Sequence, residues 1–135
     1  MEDLAVGQAA ELTRTVAAAD LDAFAAITGD DNPLHLDEVY AATTPFKGRI
    51  AHGMLAAGYI SAVIGVKLPG PGAIYISQTL RFRRPVRIGD AVTARVEITA
   101  LDQTRSRATL ATVCRVNGKV VVEGEAEVMV PRRGS

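Results

Sequence analysis

Apolar residues follow two different rhythms, one in each half of the chain. Val92, Ala94, Val96 and Ile98 alternate strictly with Thr93, Arg95, Glu97 and Thr99, a period of two that predicts a strand with one wet face. Val120, Val122, Ala126, Val128 and Val130 repeat this against Glu123, Glu125 and Glu127. Asn117-Gly118 just before them is the dipeptide of a tight hairpin, so the strands are expected to be antiparallel.

In the first half the spacing is helical. Leu21, Phe24 and Ile27 predict a short helix that starts at Asp20, whose side chain can cap free amides, and stops at Gly29. Asp37 can cap a second short helix through Val39, Tyr40 and Ala41, and "TTPFKGRIAHG" has the Thr, Pro and Gly content of a loop. A long helix begins near Gly53. Its residues, through Val66, are apolar or small nearly all round, which predicts a helix enclosed by protein.

These elements imply an α+β architecture, a curled antiparallel sheet around a long central apolar helix. One domain over residues 1–135 is expected, because no linker or internal repeat divides the chain. The sheet's open edges need protection, and a homodimer is the expected solution.

Composition narrows the partners. A 135-residue chain with 48% hydrophobic and 22% charged residues and zero net charge is an ordinary globular balance, without the basic excess that nucleic acid demands. The lone Cys114, in an apolar alternation, reads as a buried structural thiol. The acidic "MEDLAVGQAAEL" lacks the form of a secretory signal, so the cytoplasm is the expected compartment. The apolar run from Met54 to Val66 is too short to span a bilayer and is expected to be a core helix.

Two stretches carry chemistry. In "DDNPLHLD", Asn32-Pro33 forces a turn directly after a helix and places Asp30 and His35 on one bend. A carboxylate at a helix end, if also shielded from water, suits a general base. Taken alone, Asp30, Asp31 and Asn32 read as a solvated turn and His35 as a satisfied histidine. In "RIAHGML", Gly53 stands at the mouth of the long helix, where an unobstructed amide and the positive end of the dipole could hold a carbonyl that develops negative charge. His52 reads as a capping or packing residue. Two histidines and one cysteine, widely spread, make no recognised ligand cluster, and no metal is expected.

"D-x-N-P-x-H" at Asp30, Asn32, Pro33 and His35, followed by "AHGML" at Ala51 to Leu55, resembles the hydratase motif of the MaoC-like family of hot-dog-fold proteins. With "AATTPF", "LPGPGAIYISQTLRFRRPV" and "IGDAVTARVEITAL", the likeness covers nearly the whole chain. It is similar above all to the short (R)-specific enoyl-CoA hydratases that feed polyhydroxyalkanoate synthesis. The resemblance implies that Asp30 is the general base activating water, that His35 shares this water and protonates the α-carbon, and that the Gly53 amide holds the thioester oxygen.

Asn32 matches the motif's asparagine and reads as a turn-fixing residue. Ser61, two helical turns beyond Gly53, matches a serine of these hydratases; it reads equally as a site residue or as a hydroxyl back-bonded within its helix. The motif's spacing selects Asp30 over Asp31. Arg81, Arg83, Arg84 and Arg87 could receive phosphates of coenzyme A, but a solvated strand face is the better reading. The resemblance implies an acyl-CoA thioester as substrate and no further cofactor. A dehydratase acting on acyl carrier protein, a hot-dog thioesterase and a non-catalytic acyl-binding subunit are the rival readings.

Overall fold

The computed structural model describes residues 1–131. Six strands form one antiparallel sheet: β1 (Ala9–Thr15), β2 (Ile74–Gln78), β3 (Arg81–Phe82), β4 (Ala91–Asp102), β5 (Arg107–Val116) and β6 (Lys119–Met129). Their order is β1-β4-β5-β6-β2, with β3 also paired to β6, and β1 and β2 remain as separate edges, so the sheet does not close into a barrel. The helices are α1 (Ala18–Thr28), α2 (Pro33–Leu36), α3 (Glu38–Ala42) and α4 (Gly53–Val66).

The alternation read from the sequence sets the sheet's inner face. Val92, Ala94, Val96 and Ile98 of β4 are fully buried, together with Ala108, Leu110 and Cys114 of β5 and Ala126 and Val128 of β6. Val116 pairs with Lys119, and Asn117 and Gly118 between them both take positive φ, 51° and 77°. This geometry matches the twist of the flanking strands. Along β6 the pattern is broken by a bulge. The register shifts between Cys114 and Arg115, so that Val120 and Val122 face consecutive β5 residues and Val121 is extra. Val121 and Val122 are both buried as a result, which strict alternation from Val120 does not anticipate.

Helix α4 lies on this face through Ala56, Ile60, Val63 and Ile64, packed mainly against β4. The enclosure expected for it is only half met within one chain. Gly58, Ser61, Gly65 and Met54 form an exposed stripe at helical spacing, and Met54 is 54% exposed. A run of small residues carries little burial force, so its apolar look overstated its need for cover.

At α1 the expected start at Asp20 is also corrected. The N-cap is Ala17, and Asp20, three residues on, accepts a hydrogen bond from the Ala17 amide at 2.8 Å. Gly29 closes the helix in a left-handed conformation as expected. Leu21 is buried but Ile27 is 84% exposed, so the apolar face of α1 is narrower than its spacing suggested.

Cys114 is buried and its Sγ donates to the Ala56 carbonyl at 3.5 Å. Burial pushes its thiol up to about 12, in keeping with a structural residue. No helix among the described residues is long and apolar enough to cross a membrane.

Candidate active site

The segment between α1 and α3 turns twice within a few residues, held by its own side chains. Thr28 Oγ1 accepts from the Asp30 amide at 3.1 Å, and Asp30 Oδ1 accepts from the Asn32 amide at 3.4 Å. Asn32 caps α2, its Oδ1 accepting from the Leu34 amide at 3.0 Å, with Pro33 in the first helical position. Asp37 then caps α3 by accepting from the Tyr40 amide at 3.1 Å, as expected. Such short polar side chains satisfy amides that a tight bend leaves free.

The segment leading into α4 is bonded to this bend. His35 Nδ1 lies 2.7 Å from the Ile50 carbonyl oxygen. A carbonyl only accepts, so Nδ1 carries the proton and Nε2 is left for the site. Arg49 Nε donates to the His35 carbonyl at 2.6 Å, and its guanidinium also reaches Asp22 of α1 at 3.4 Å. His52 Nε2 lies 3.0 Å from the Asp30 carbonyl oxygen. Ile50 and Ala51 are themselves fixed to the sheet side through Arg87 and Val86.

These bonds bring Asp30 and His35 together. One side-chain ligand atom each of Asp30, His35 and His52 lies within 4.8 Å of the others. One nitrogen of each imidazole is already committed to a carbonyl. Asp30 is exposed and His35 half-buried, so the shielding expected around the carboxylate is not supplied by this chain alone. Asp31, also exposed, stands beside it with its amide on the Gly29 carbonyl.

Gly53 opens α4, where the first amides of a helix have no partner in the helix itself. The Gly53 amide makes no hydrogen bond among the described residues. A Cβ at this position would lie 2.7 Å from Cε1 of Phe82, so the aromatic ring packs on the helix mouth only because the residue is glycine.

Two grooves meet here. One, of about 500 Å³, is lined by His35, Phe46, His52, Gly53, Phe82 and Arg84 among others. The second, of about 710 Å³, runs past Asp30, Gly58, Ser61, Tyr75 and Leu80. Met54 borders both, with Gly53 on the lining of the first and Asp30 on that of the second. Ser61 therefore stands on the same groove as Asp30, and its hydroxyl makes no back-bond to α4 among the described residues.

Of the four arginines, Arg83 and Arg84 reach the rim of the smaller groove, while Arg83 pairs with Glu123 at 3.0 Å and Arg84 donates to the Val120 carbonyl at 2.8 Å. All four are exposed, as expected of a solvated face, but only Arg81 lies in a strand, since β3 is Arg81–Phe82. His52 makes no cap bond to α4; of the two roles expected for it, packing is the one observed. Sequence reasoning passed over Arg49 and Phe82 as site-forming residues. Arg49 stood inside the quoted "RIAHGML", yet nothing in the chain order shows that its guanidinium reaches back to His35.

Residues 4–122 match the MaoC like domain family. The chain is 57% identical to an (R)-specific enoyl-CoA hydratase of Rhodospirillum rubrum, over 98% of this chain and 92% of that one. It is 56% identical to a 3-hydroxybutyryl-CoA dehydratase of Methylorubrum extorquens, over 98% and 84%. Its fold superposes with a TM-score of 0.94 on an (R)-hydratase from A. caviae involved in PHA biosynthesis, at 48% identity, covering 97% of this chain and all of that one. The chain belongs to the family of MaoC-like domains, and its fold is that of the hot-dog proteins.

Proposed function

We propose that this protein is an (R)-specific enoyl-CoA hydratase, adding water reversibly to a trans-2-enoyl-CoA to give the (R)-3-hydroxyacyl-CoA. The convergence of Asp30 and His35 within 4.8 Å, beside an unpaired Gly53 amide, carries this reading. The relatives named above support it.

In the proposed cycle a water sits between Asp30 and Nε2 of His35. Asp30 takes a proton as the water oxygen attacks the β-carbon. His35, protonated on both nitrogens at this stage, gives its Nε2 proton to the α-carbon while Ile50 keeps the other in place. The proton on Asp30 then returns to His35, and the net change is one water added. The Gly53 amide holds the thioester oxygen as negative charge builds there, a donor of a kind worth about 3 kcal/mol. Asn32 keeps the bend in shape, and Ser61 borders the groove beside Asp30. Since an amide supplies the electrophile, the reaction needs no metal or additional cofactor.

Two further elements belong to this reading. The enzyme works as a homodimer in the cytoplasm: β2 has a free edge, and Ile74, Tyr75 and Ile76 on it are exposed beside the uncovered stripe of α4. A second copy there would also supply the shielding that Asp30 lacks. The (R)-3-hydroxyacyl product suits the supply of polyhydroxyalkanoate synthesis.

Following the enoyl absorbance of crotonyl-CoA and free thiol in one cuvette tests the activity. Loss of the double bond without thiol, unaffected by chelator, is the expected result. Thiol release with the double bond intact would identify a thioesterase instead. Sedimentation should give twice the mass of one chain.

A further inference from the structure

His52 is 2% exposed and sits between two rings, Phe24 of α1 at 4.5 Å and His35 of α2 at 4.0 Å between centroids. Its Nε2 lies 3.0 Å from the Asp30 carbonyl, which must accept, so that nitrogen carries the proton. Its Nδ1 is buried with no hydrogen-bond partner among the described residues. Leaving a buried acceptor unsatisfied costs stability, and a phenyl ring would fill the same slot without that cost. Packing alone therefore does not account for an imidazole here. What the imidazole adds is the bond to Asp30.

We propose that His52 is a positioning residue for hydration. Its Nε2–H anchors the backbone of Asp30 while the face of its ring braces His35, so that one side chain from the mouth of α4 sets the distance between carboxylate and imidazole. It touches both of these residues from a third element, with one nitrogen bonded to the Asp30 carbonyl and the other buried. This inference rests on the hydratase reading, and the experiment separates the two.

His52→Phe keeps the flat ring and removes the donor; His52→Gln keeps a donor at the place of Nε2. Displacing a reacting group by about an ångström can cost roughly 100-fold in rate. His52→Phe should therefore lower kcat on crotonyl-CoA by about that factor while KM changes less than about threefold, and His52→Gln, which keeps the donor but not the ring, should recover part of the rate. In an Asp30→Asn background, His52→Phe should cost almost nothing more, because its effect passes through Asp30. Inactive wild-type protein would defeat the hydratase reading. Active wild type with His52→Phe also near full rate, or with the two losses simply additive, would overturn the role of His52. If His52→Phe does not fold, the test falls on His52→Ala beside His52→Gln: a folded His52→Ala at near-wild-type kcat, or a His52→Gln no faster than His52→Ala, overturns the role, and a slow His52→Ala with a faster His52→Gln supports it.

Discussion

The sheet and the catalytic bend are held by opposite means. Strands β4 to β6 rely on burial: Val92, Val96, Ile98, Leu110 and Val128 are fully covered, and the polar residues that alternate with them face out, apart from the buried Thr112. The bend from Asp30 to Asp37 buries no side chain fully and is shaped by directional bonds from Thr28, Asp30, Asn32, Arg49 and His52. Burial is non-directional, whereas a hydrogen bond sets both a distance and an angle. The sheet supplies stability, and the bend turns that stability into a fixed distance between two reacting groups.

If this division is right, mutations on the two sides should fail differently. Asp30→Asn and His35→Gln should each lower kcat by about 10²- to 10⁴-fold, the usual worth of an acid or base, with the melting temperature within a few degrees of wild type. A melting scan beside the rate assay checks both. Leu110→Ala, in the middle of the sheet, should do the reverse. It should cost about 2–5 kcal/mol of stability, read by urea unfolding, while the folded fraction keeps its rate.

Asn32→Ala tests the border between the regions. Loss of this cap should cost about 1 kcal/mol and also lower kcat, because the same bond shapes the bend. A loss of stability with unchanged kcat would mean that the bend holds its geometry without Asn32. The smallest effect is expected at Glu97, whose pair with Arg95 is exposed on the outer face of β4. Glu97→Gln should shift stability by no more than about 1 kcal/mol and leave the rate alone.

The same contrast explains what could be read from the chain. Alternation is a local signal, and β4 and the Asn117-Gly118 hairpin follow from it directly. The bulge at Val121 does not, because in "VVVEG" any of the valines could be the extra one and only pairing with β5 decides. At the site, Asp30, Asn32, Pro33 and His35 lie close in sequence and their turn chemistry is visible. Arg49 and His52 are distant from their partners, and their bonds exist only after α4 and the bend have packed together. The exposed stripe of Gly58, Ser61 and Gly65 was obscured for another reason: small residues look alike whether they line a groove or fill a core.

The central claim is that a proton acceptor and a proton donor on one bend serve a single face of the substrate. Hydration of crotonyl-CoA in deuterium oxide, with the relative configuration of the product read from its proton couplings by NMR, tests this most directly. The account predicts the (R)-hydroxyl at the β-carbon and deuterium at the α-carbon delivered to the same face. Deuterium on the opposite face would contradict it.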